Sequence, residues 1–329
     1  MRTRTLKSFL SIFNERIEYL RQSNKFGTAL NYNRAKNSLQ KYVDNHNAGD
    51  EKLTASFIES YAAYLSQNGL VRNSISFHMR IIRAVYNKVS TTSDSLPCDI
   101  FRNVYTGVDK TGKRCIDSQV LASFLKLELY QYPDLEQARD LFFFSVYARG
   151  MAFVDIAFLK KSNIKGNDIV YQRRKTGKLM RIKIEYEMRL ILNRYLSQSH
   201  KSDYVFDILK PNCRESLYHQ YLNALSCYNY RLTRISEMLG LDRSLSSYTA
   251  RHTWATLAYK CSIPLSVICA GMGHSSERIT RIYLSSIDDD RINIANRMVL
   301  DRMLGEKQKP IKVGVTRYKK EKGLLEVSN

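Results

Sequence analysis

The chain has 329 residues, enough for two domains that each have a hydrophobic core. Apolar residues make up 44% and charged residues 25%, the balance of an ordinary globular protein, and no stretch reaches the ~18 apolar residues of a membrane span. Lysine and arginine outnumber aspartate and glutamate by 52 to 31, a net charge of +21 that favours a polyanionic partner. Because the basic residues are spread through both halves rather than gathered on one amphipathic helix, we expect nucleic acid rather than an anionic membrane surface.

Four helices are predicted in the first ninety residues. Apolar residues recur at three- and four-residue spacing over 3–22, and a second helix follows a Gly-Thr pair at 27–28. Thr54 is placed to cap a third helix, and a fourth runs from about 73 to 89. Residues 1–90 are therefore predicted to form a small all-α domain, and basic residues beside the apolar stripe of the fourth helix predict a surface that faces DNA. These basic residues are Arg72, Arg80, Arg83 and Lys88.

A polar, turn-rich stretch without periodicity follows, and we assign residues 91–116 to an interdomain linker. A second domain is predicted over 117–306, with a basic tail at 307–329. Two short strands, at about 167–171 and 179–184, interrupt the helical pattern of this domain. The predicted fold class is therefore mainly α with a small antiparallel β-sheet. Further helices are predicted at 118–130, 135–149, 185–197, 216–239 and 288–305.

Six cysteines lie far apart, at positions 98, 115, 213, 227, 261 and 269. None forms a CxxC pair, which argues against a zinc ribbon, and no carboxylate cluster suits Mg²⁺, so we expect neither a metal nor a cofactor. The cysteines are expected to be reduced core thiols of a cytoplasmic protein. The basic N-terminus lacks the continuous apolar run of a signal peptide, because Asn14, Glu15 and Arg16 interrupt it.

The stretch from 244 to 287 carries the residues with reactive chemistry. It reads SLSSYTARHTWATLAYKCSIPLSVICAGMGHSSERITRIYLSSI and contains Arg251, a histidine after a Gly-Met-Gly turn (His274), and Tyr283 nine residues later. The nonbridging oxygens of a phosphodiester gain negative charge during in-line attack, and a guanidinium fork matches their geometry. Tyrosine, with an ordinary pKa of about 10, needs positive neighbours or a base in order to attack. The departing sugar oxygen needs a proton, which lysine or histidine can give.

The segment ARHTWATLAYKCSIPLSVICAGMGHSSERITRIYL resembles the C-terminal signature of the tyrosine recombinase (phage integrase) family. That signature has an arginine in an HxxR box, then a Leu-Gly-His-like turn, then the nucleophilic tyrosine. Upstream, DIAFLKKSNI at 155–164 resembles the segment after the family's first arginine, and the hairpin at 169–184 resembles the one that carries its lysine. The four N-terminal helices resemble the family's core-binding (SAM-like) domain. The resemblance covers about residues 5–305.

The resemblance implies a role for each residue at a matching position. Tyr283 would be the nucleophile, Arg251 the box arginine, and His274 a hydrogen-bond donor or an acid–base group at the phosphate. Lys175, in the RRKTGK turn of the hairpin, would be the general acid, and Lys178 in the same turn is its rival.

One position of the HxxR box departs from the family pattern. The first residue is Tyr248, where the family has histidine. A phenol can donate a hydrogen bond to a phosphate oxygen, but it cannot shuttle a proton near neutral pH as imidazole does. His252 follows Arg251 directly, so we expect it to point elsewhere on the helix and to be structural.

The first arginine of the family also lacks a direct counterpart. Alignment on Asp155 places Ala152 where that arginine is expected. Arg149, three residues earlier and about one helical turn away, is our candidate. Arg173 and Arg174 of the hairpin are the substitutes.

The function implied by the resemblance is site-specific DNA recombination (integration, excision or inversion) through a 3′-phosphotyrosyl intermediate. The implied partners are double-stranded DNA with specific target sites, a homo-tetramer on paired sites, and an accessory DNA-bending protein. No membrane partner is expected, and the protein would lie in the cytoplasm with the bacterial nucleoid. Two alternatives stay open: a type IB topoisomerase, and a sequence-specific DNA-binding protein that has lost cleavage.

Overall fold

The computed structural model describes residues 5–90, 99–109, 112, 115–198, 202–283, 296, 299, 300 and 303. Over these residues the chain is mainly α-helical with one small antiparallel sheet, as predicted. The helix predicted at 288–305 lies almost entirely outside the described residues, and the basic tail at 307–329 lies wholly outside them. The helices are α1 (Leu6–Gln22), α2 (Phe26–Asn45), α3 (Ala55–Gln67), α4 (Arg72–Ser90), α5 (Ser118–Lys126), α6 (Pro133–Tyr147), α7 (Phe153–Ala157), α8 (Tyr186–Gln198), α9 (Leu217–Met238), α10 (Thr249–Lys260), α11 (Leu265–Gly271) and α12 (Glu277–Arg281).

Helices α1 to α4 pack into an N-terminal bundle around a core of their own. The apolar stripe of α1 is buried as its spacing predicts. The Thr54 hydroxyl caps α3 by accepting the N–H of Phe57 at 3.2 Å, which confirms the predicted cap. Helix α2 begins at Phe26, so the Gly-Thr pair lies inside its first turn rather than before it.

Part of the predicted linker packs against this bundle. Ile100 and Phe101 are buried in its core. The Asn73 side chain of α4 exchanges two hydrogen bonds with the Asp109 backbone, at 2.8 and 3.1 Å. The Arg72 guanidinium lies 3.8 Å above the ring centroid of Tyr105, so segment 99–109 covers part of the basic flank of α4. The domain boundaries stay predictions.

The second core surrounds α6, which packs against α8, α9 and α10. One side of this core is closed by the sheet, whose strands β1 (Ile164–Lys165), β2 (Asp168–Gln172) and β3 (Leu179–Lys183) lie in that order. Buried Met180 and Ile182 alternate with exposed Arg181 on β3, as predicted. Strand β1 was not predicted, because two residues carry no periodicity.

One aromatic contact joins the N-terminal bundle to the second core: the rings of Phe26 on α2 and Tyr218 on α9 stack with centroids 5.3 Å apart. Where the chain crosses between them, the Ile116 N–H donates to the hydroxyl of Thr253 on α10 at 3.1 Å. None of the helices in the described part of the chain has both the length and the apolarity to cross a membrane.

The five cysteines within the described residues are free thiols. The expectation that they are core residues is wrong, because three are exposed and two are partly exposed. Helix α9 shows the reason: the core-facing positions carry large side chains such as Tyr228 and Leu232, and Cys227 lies on an exposed side of the helix.

Candidate active site

The site begins where α6 ends against α10. Arg149 and Gly150, just after α6, have φ angles of +59° and +71°. A Cβ atom on Gly150 would lie 2.9 Å from the Cα of Arg251, so glycine is required there both by the backbone conformation and by the close approach of α10. This contact places the Gly150 carbonyl within reach of the Arg251 side chain.

Arg251 is buried and held by backbone acceptors. Its Nη1 donates to the Gly150 carbonyl and its Nη2 to the Met272 carbonyl, both at 2.6 Å. Burial, followed by the neighbouring charge of Arg173, lowers the pKa of Arg251. The Nε of Arg251 has no hydrogen-bond partner among the described residues. The side chain is thus fixed in orientation, with one buried donor that has no acceptor among the described residues.

Arg173 is a second buried guanidinium in the same place. It follows β2, and its Nη1 donates to the Gly273 carbonyl at 2.8 Å. Gly273 has φ +66°, and a Cβ there would lie 2.7 Å from the Met180 sulfur, so only glycine lets this turn approach the sheet. The Asp155 carboxylate accepts the Arg174 N–H at 2.8 Å and anchors the start of the β2–β3 turn. The sequence had indicated Arg173 only as a substitute.

His274 links the guanidinium of Arg251 to the segment that carries the tyrosine. Its Nε2 lies 2.9 Å from the Nη2 of Arg251, and its Nδ1 lies 2.9 Å from the Thr280 hydroxyl oxygen. A guanidinium only donates, so Nε2 accepts and Nδ1 carries the proton that bonds Thr280. Burial, then the charges of Arg251 and Arg173, lowers the pKa of His274 to about 3. The imidazole is therefore neutral near pH 7 when no anion is bound.

Tyr283 contacts two imidazole rings. Its ring stacks on His274 with centroids 5.2 Å apart and lies 4.5 Å from the ring of His252. The Cζ of Arg251 is 5.7 Å from the Tyr283 ring centroid. The structure thus brings together Tyr283, Arg251 and His274. The expectation that His252 points elsewhere is wrong, because Tyr283 lies where it contacts two successive residues of α10.

The lysines of the hairpin lie at the exposed edge of the site. Lys175 and Lys178 are both exposed in the turn after Arg173, and both charges contribute to the lowered pKa of His274. Gly177, with φ +69°, lets the turn close by donating its N–H to the Arg173 carbonyl. Both lysines thus act on the same imidazole, and Lys178 stays a rival to Lys175.

Arg149 and Tyr248, the two departures from the family pattern, lie at the border of the site. The Nη1 of Arg149 donates to the Arg181 carbonyl at 3.4 Å, and none of the described hydrogen bonds or ring contacts joins Arg149 to His274 or Tyr283. Tyr248 is 50% exposed and lines a cavity of about 80 Å³ with Ala152 and Arg251. Phosphate in this cavity would be within reach of both Arg251 and Tyr248. The described residues contain no group of three histidines, cysteines or carboxylates that could hold a metal ion.

Two family models account for most of the chain. The phage integrase SAM-like domain matches residues 8–91, and the phage integrase family model matches residues 121–289, just over half of the chain. The chain belongs to the phage integrase family. The tyrosine recombinases of this family are enzymes that cut and rejoin DNA strands.

Individual relatives of this integrase family are distant. Tyrosine recombinase XerA of Saccharolobus solfataricus is 26% identical over 135 residues, which are 41% of this chain and only 40% of that relative. A lambda integrase tetramer bound to a Holliday junction matches with a TM-score of 0.65 and 15% identity, over 86% of this chain and 78% of that chain. The Tn1549 transposon integrase, in complex with a circular intermediate DNA, matches with a TM-score of 0.63 and 14% identity, over 89% of this chain and 99% of that chain. These two matches show the integrase fold.

We expect His274 of this integrase-family site to titrate at about pH 3 in the DNA-free protein, far below the ordinary imidazole value of 6.5. Because the folded-state pKa lies below the ordinary value of 6.5, the unfolded chain takes up the proton first as the pH falls. Stability should therefore fall between pH 6.5 and 3, by up to about 1.4 kcal/mol per pH unit. NMR titration gives the pKa of His274. Comparison of the free energy of unfolding with that of His274→Gln, at pH 7 and pH 5, isolates the contribution of this histidine to stability. Titration of His274 near pH 6.5 would contradict the described burial.

Proposed function

We propose that this chain is a site-specific DNA recombinase in which Tyr283 forms a 3′-phosphotyrosyl bond. One observation carries the proposal: the phenol ring of Tyr283 contacts His274 in a pocket that holds two buried guanidiniums, Arg251 and Arg173. The Nε atoms of both arginines are buried without a hydrogen-bond partner in the described part of the chain. The buried Asp155 carboxylate offsets part of this positive charge, and a phosphodiester would supply further negative charge and acceptors for the two unpaired donors.

The proposed chemistry conserves the phosphodiester energy. The phenol of Tyr283 gives up its proton to solvent, its oxygen attacks the scissile phosphorus to form a P–O bond, and the bond to the 5′ oxygen breaks. The 5′ oxygen leaves as a hydroxyl after it takes a proton from a general acid, for which Lys175 is the candidate. The 5′-hydroxyl of a partner strand then attacks the phosphotyrosine, which restores the phenol and joins the strands.

The geometry supports different roles for the three arginines. Arg251 and Arg173 would stabilise the developing charge on the nonbridging oxygens, because both guanidiniums are already held in the pocket. Arg149 is bonded to the Arg181 carbonyl and would have to turn towards the phosphate when DNA binds. We therefore assign the role of the family's first arginine to Arg173, and Arg149 is the competing candidate.

Lysine substitutions distinguish Arg173 from Arg149 as the family's first arginine. Arg173→Lys is expected to lower the rate of strand cleavage by about 10²- to 10³-fold, the usual effect of losing one preorganised donor to a developing oxyanion. Arg149→Lys is expected to change it less than tenfold. Single-turnover cleavage at saturating DNA gives both rates. The reverse order of effects would return the role to Arg149.

Assembly and domain organisation are part of the proposal. Residues 1–90 and 117–306 would bind opposite sides of duplex DNA, joined through 91–116, and the segment 288–329 would reach a neighbouring protomer. The lambda integrase tetramer on a Holliday junction supports a tetramer on two paired sites. Integration, excision and inversion all fit this chemistry, and an accessory DNA-bending protein and a nucleoid location belong to the same proposal.

The decisive experiment traps the covalent intermediate. The protein is incubated with nicked suicide duplexes built from the repeats that flank its coding region, and an adduct that survives SDS is digested and mapped to Tyr283. The proposal predicts such an adduct on paired target sites. Tight duplex binding without any adduct would instead identify a DNA-binding protein that has lost cleavage. Relaxation of supercoiled plasmid without a target site would identify a type IB topoisomerase.

A further inference from the structure

We propose that His252 is a positioning residue that holds the phenol of Tyr283 in its attacking orientation; this rests on the proposed function. The observation is the contact between the two rings, whose centroids are 4.5 Å apart with planes inclined at 43°. It is shorter than the contact between Tyr283 and His274, at 5.2 Å. His252 is not a member of the constellation that the sequence resemblance implies.

The segment that carries Tyr283 depends on neighbouring elements for its position: α12 contacts α11, and the Tyr283 side chain packs against the cluster of Ala255, Ile268 and Met272. Helix α12 has only five residues and is too short to be a stable helix by itself. The Tyr283 N–H bonds the Thr280 carbonyl within the same turn, and Thr280 is tied to His274. The ring and backbone of Tyr283 must therefore be fixed by a neighbouring element.

Helix α10 supplies that element through one face. His252 and Thr256 are four residues apart on α10, so their side chains lie on the same side of the helix. His252 contacts the Tyr283 ring, and the Thr256 hydroxyl donates to the Tyr283 carbonyl at 3.2 Å. One face of α10 thus contacts both the ring and the backbone carbonyl of Tyr283. Arg251, which precedes His252, faces the proposed phosphate pocket.

This arrangement couples nucleophile and phosphate to one rigid helix. Arg251 would orient the phosphate and His252 the attacking oxygen, and adjacent positions on α10 fix the distance between them. A misplacement of about 1 Å can cost about 10²-fold in rate, so loss of the ring contact should slow cleavage without weakening DNA binding. Because the observed contact is between the two rings, we attribute the effect to packing of the imidazole, and the Phe and Gln variants test this against a role for a ring nitrogen.

Four variants test the inference by single-turnover cleavage of the suicide duplex at saturating DNA, alongside measurements of affinity and melting temperature. His252→Ala is expected to lower the cleavage rate at least tenfold while affinity changes less than twofold. His252→Phe keeps a ring and should recover to within threefold of the unmodified protein. His252→Gln keeps a nitrogen donor without a ring and should stay slow. Exposed His219→Ala is the matched control and should cleave normally.

Two results would overturn the inference. One is cleavage by His252→Ala at the rate of the unmodified protein, and the other is recovery by His252→Gln but not by His252→Phe, which would point to the ring nitrogens. The Phe and Gln comparison decides even where His252→Ala fails to fold. Absence of a Tyr283 adduct with the unmodified protein overturns the proposed function, and a normal adduct with an unaffected His252→Ala variant overturns only the positioning role.

Discussion

Replacement of Tyr283 by phenylalanine is expected to abolish the covalent adduct, with at least a 10⁴-fold loss of cleavage rate, on the order of what removal of a covalent nucleophile costs other enzymes. The change removes one oxygen and leaves the ring in contact with His252 and His274. DNA affinity and melting temperature should therefore stay close to those of the unmodified protein. SDS-stable adduct formation on a nicked duplex measures the loss, and filter binding or a gel shift measures the affinity.

The control for this result is Tyr230→Phe, because Tyr230 is 66% exposed on α9 and removal of its hydroxyl should leave cleavage unchanged. An adduct that still forms with Tyr283→Phe would remove Tyr283 from the nucleophile role. A protein that loses DNA binding together with cleavage would show that the phenol oxygen supports the fold instead.

Replacement of Arg251 by lysine is expected to produce the second largest effect, a loss of about 10²- to 10⁴-fold in cleavage rate. The guanidinium donates to two carbonyls and contacts Nε2 of His274, with its Nε left for a phosphate oxygen. Lysine has three donors on a single atom and cannot reach these partners in the same geometry. Rates at saturating DNA check the prediction.

Arg251→Lys should also reduce stability, because each buried carbonyl left without a donor costs about 1–3 kcal/mol. Denaturant unfolding separates this effect from the catalytic one, since a folded variant that binds DNA and still cleaves slowly has lost transition-state stabilisation. Arg189→Lys, which changes a half-buried arginine of α8 that is hydrogen-bonded to Asn167 at an exposed site, is the matched control and should alter neither quantity much. Cleavage within tenfold of normal by Arg251→Lys would contradict the proposed phosphate contact.

Local patterns predicted most of the secondary structure. The spacing of apolar residues placed α1 to α4, and the Thr54 hydroxyl marked the start of α3. The alternation around Met180 and Ile182 placed β3. These predictions succeed because helix and strand periodicity and capping depend on residues within a few positions of each other.

The sequence pattern did not predict that segment 99–109 packs on α4. Its burial depends on two residues, Ile100 and Phe101, that occupy a gap in a core built by distant helices. Two apolar residues within a turn-rich stretch carry no periodic signal. The same reason explains the exposed cysteines, since the side of a helix that faces the core depends on the neighbouring elements.

The sequence by itself determined the family-like order of Arg251, His274 and Tyr283, the mainly helical fold and the basic charge. Only the tertiary structure decided which cationic side chains surround these three residues. Arg173 enters the pocket because its hairpin docks on the Gly273 carbonyl, a contact between residues one hundred positions apart. His252 reaches Tyr283 because the phenol ring spans two neighbouring side chains of α10. Such contacts depend on how separate elements approach each other, and no local spacing encodes that distance.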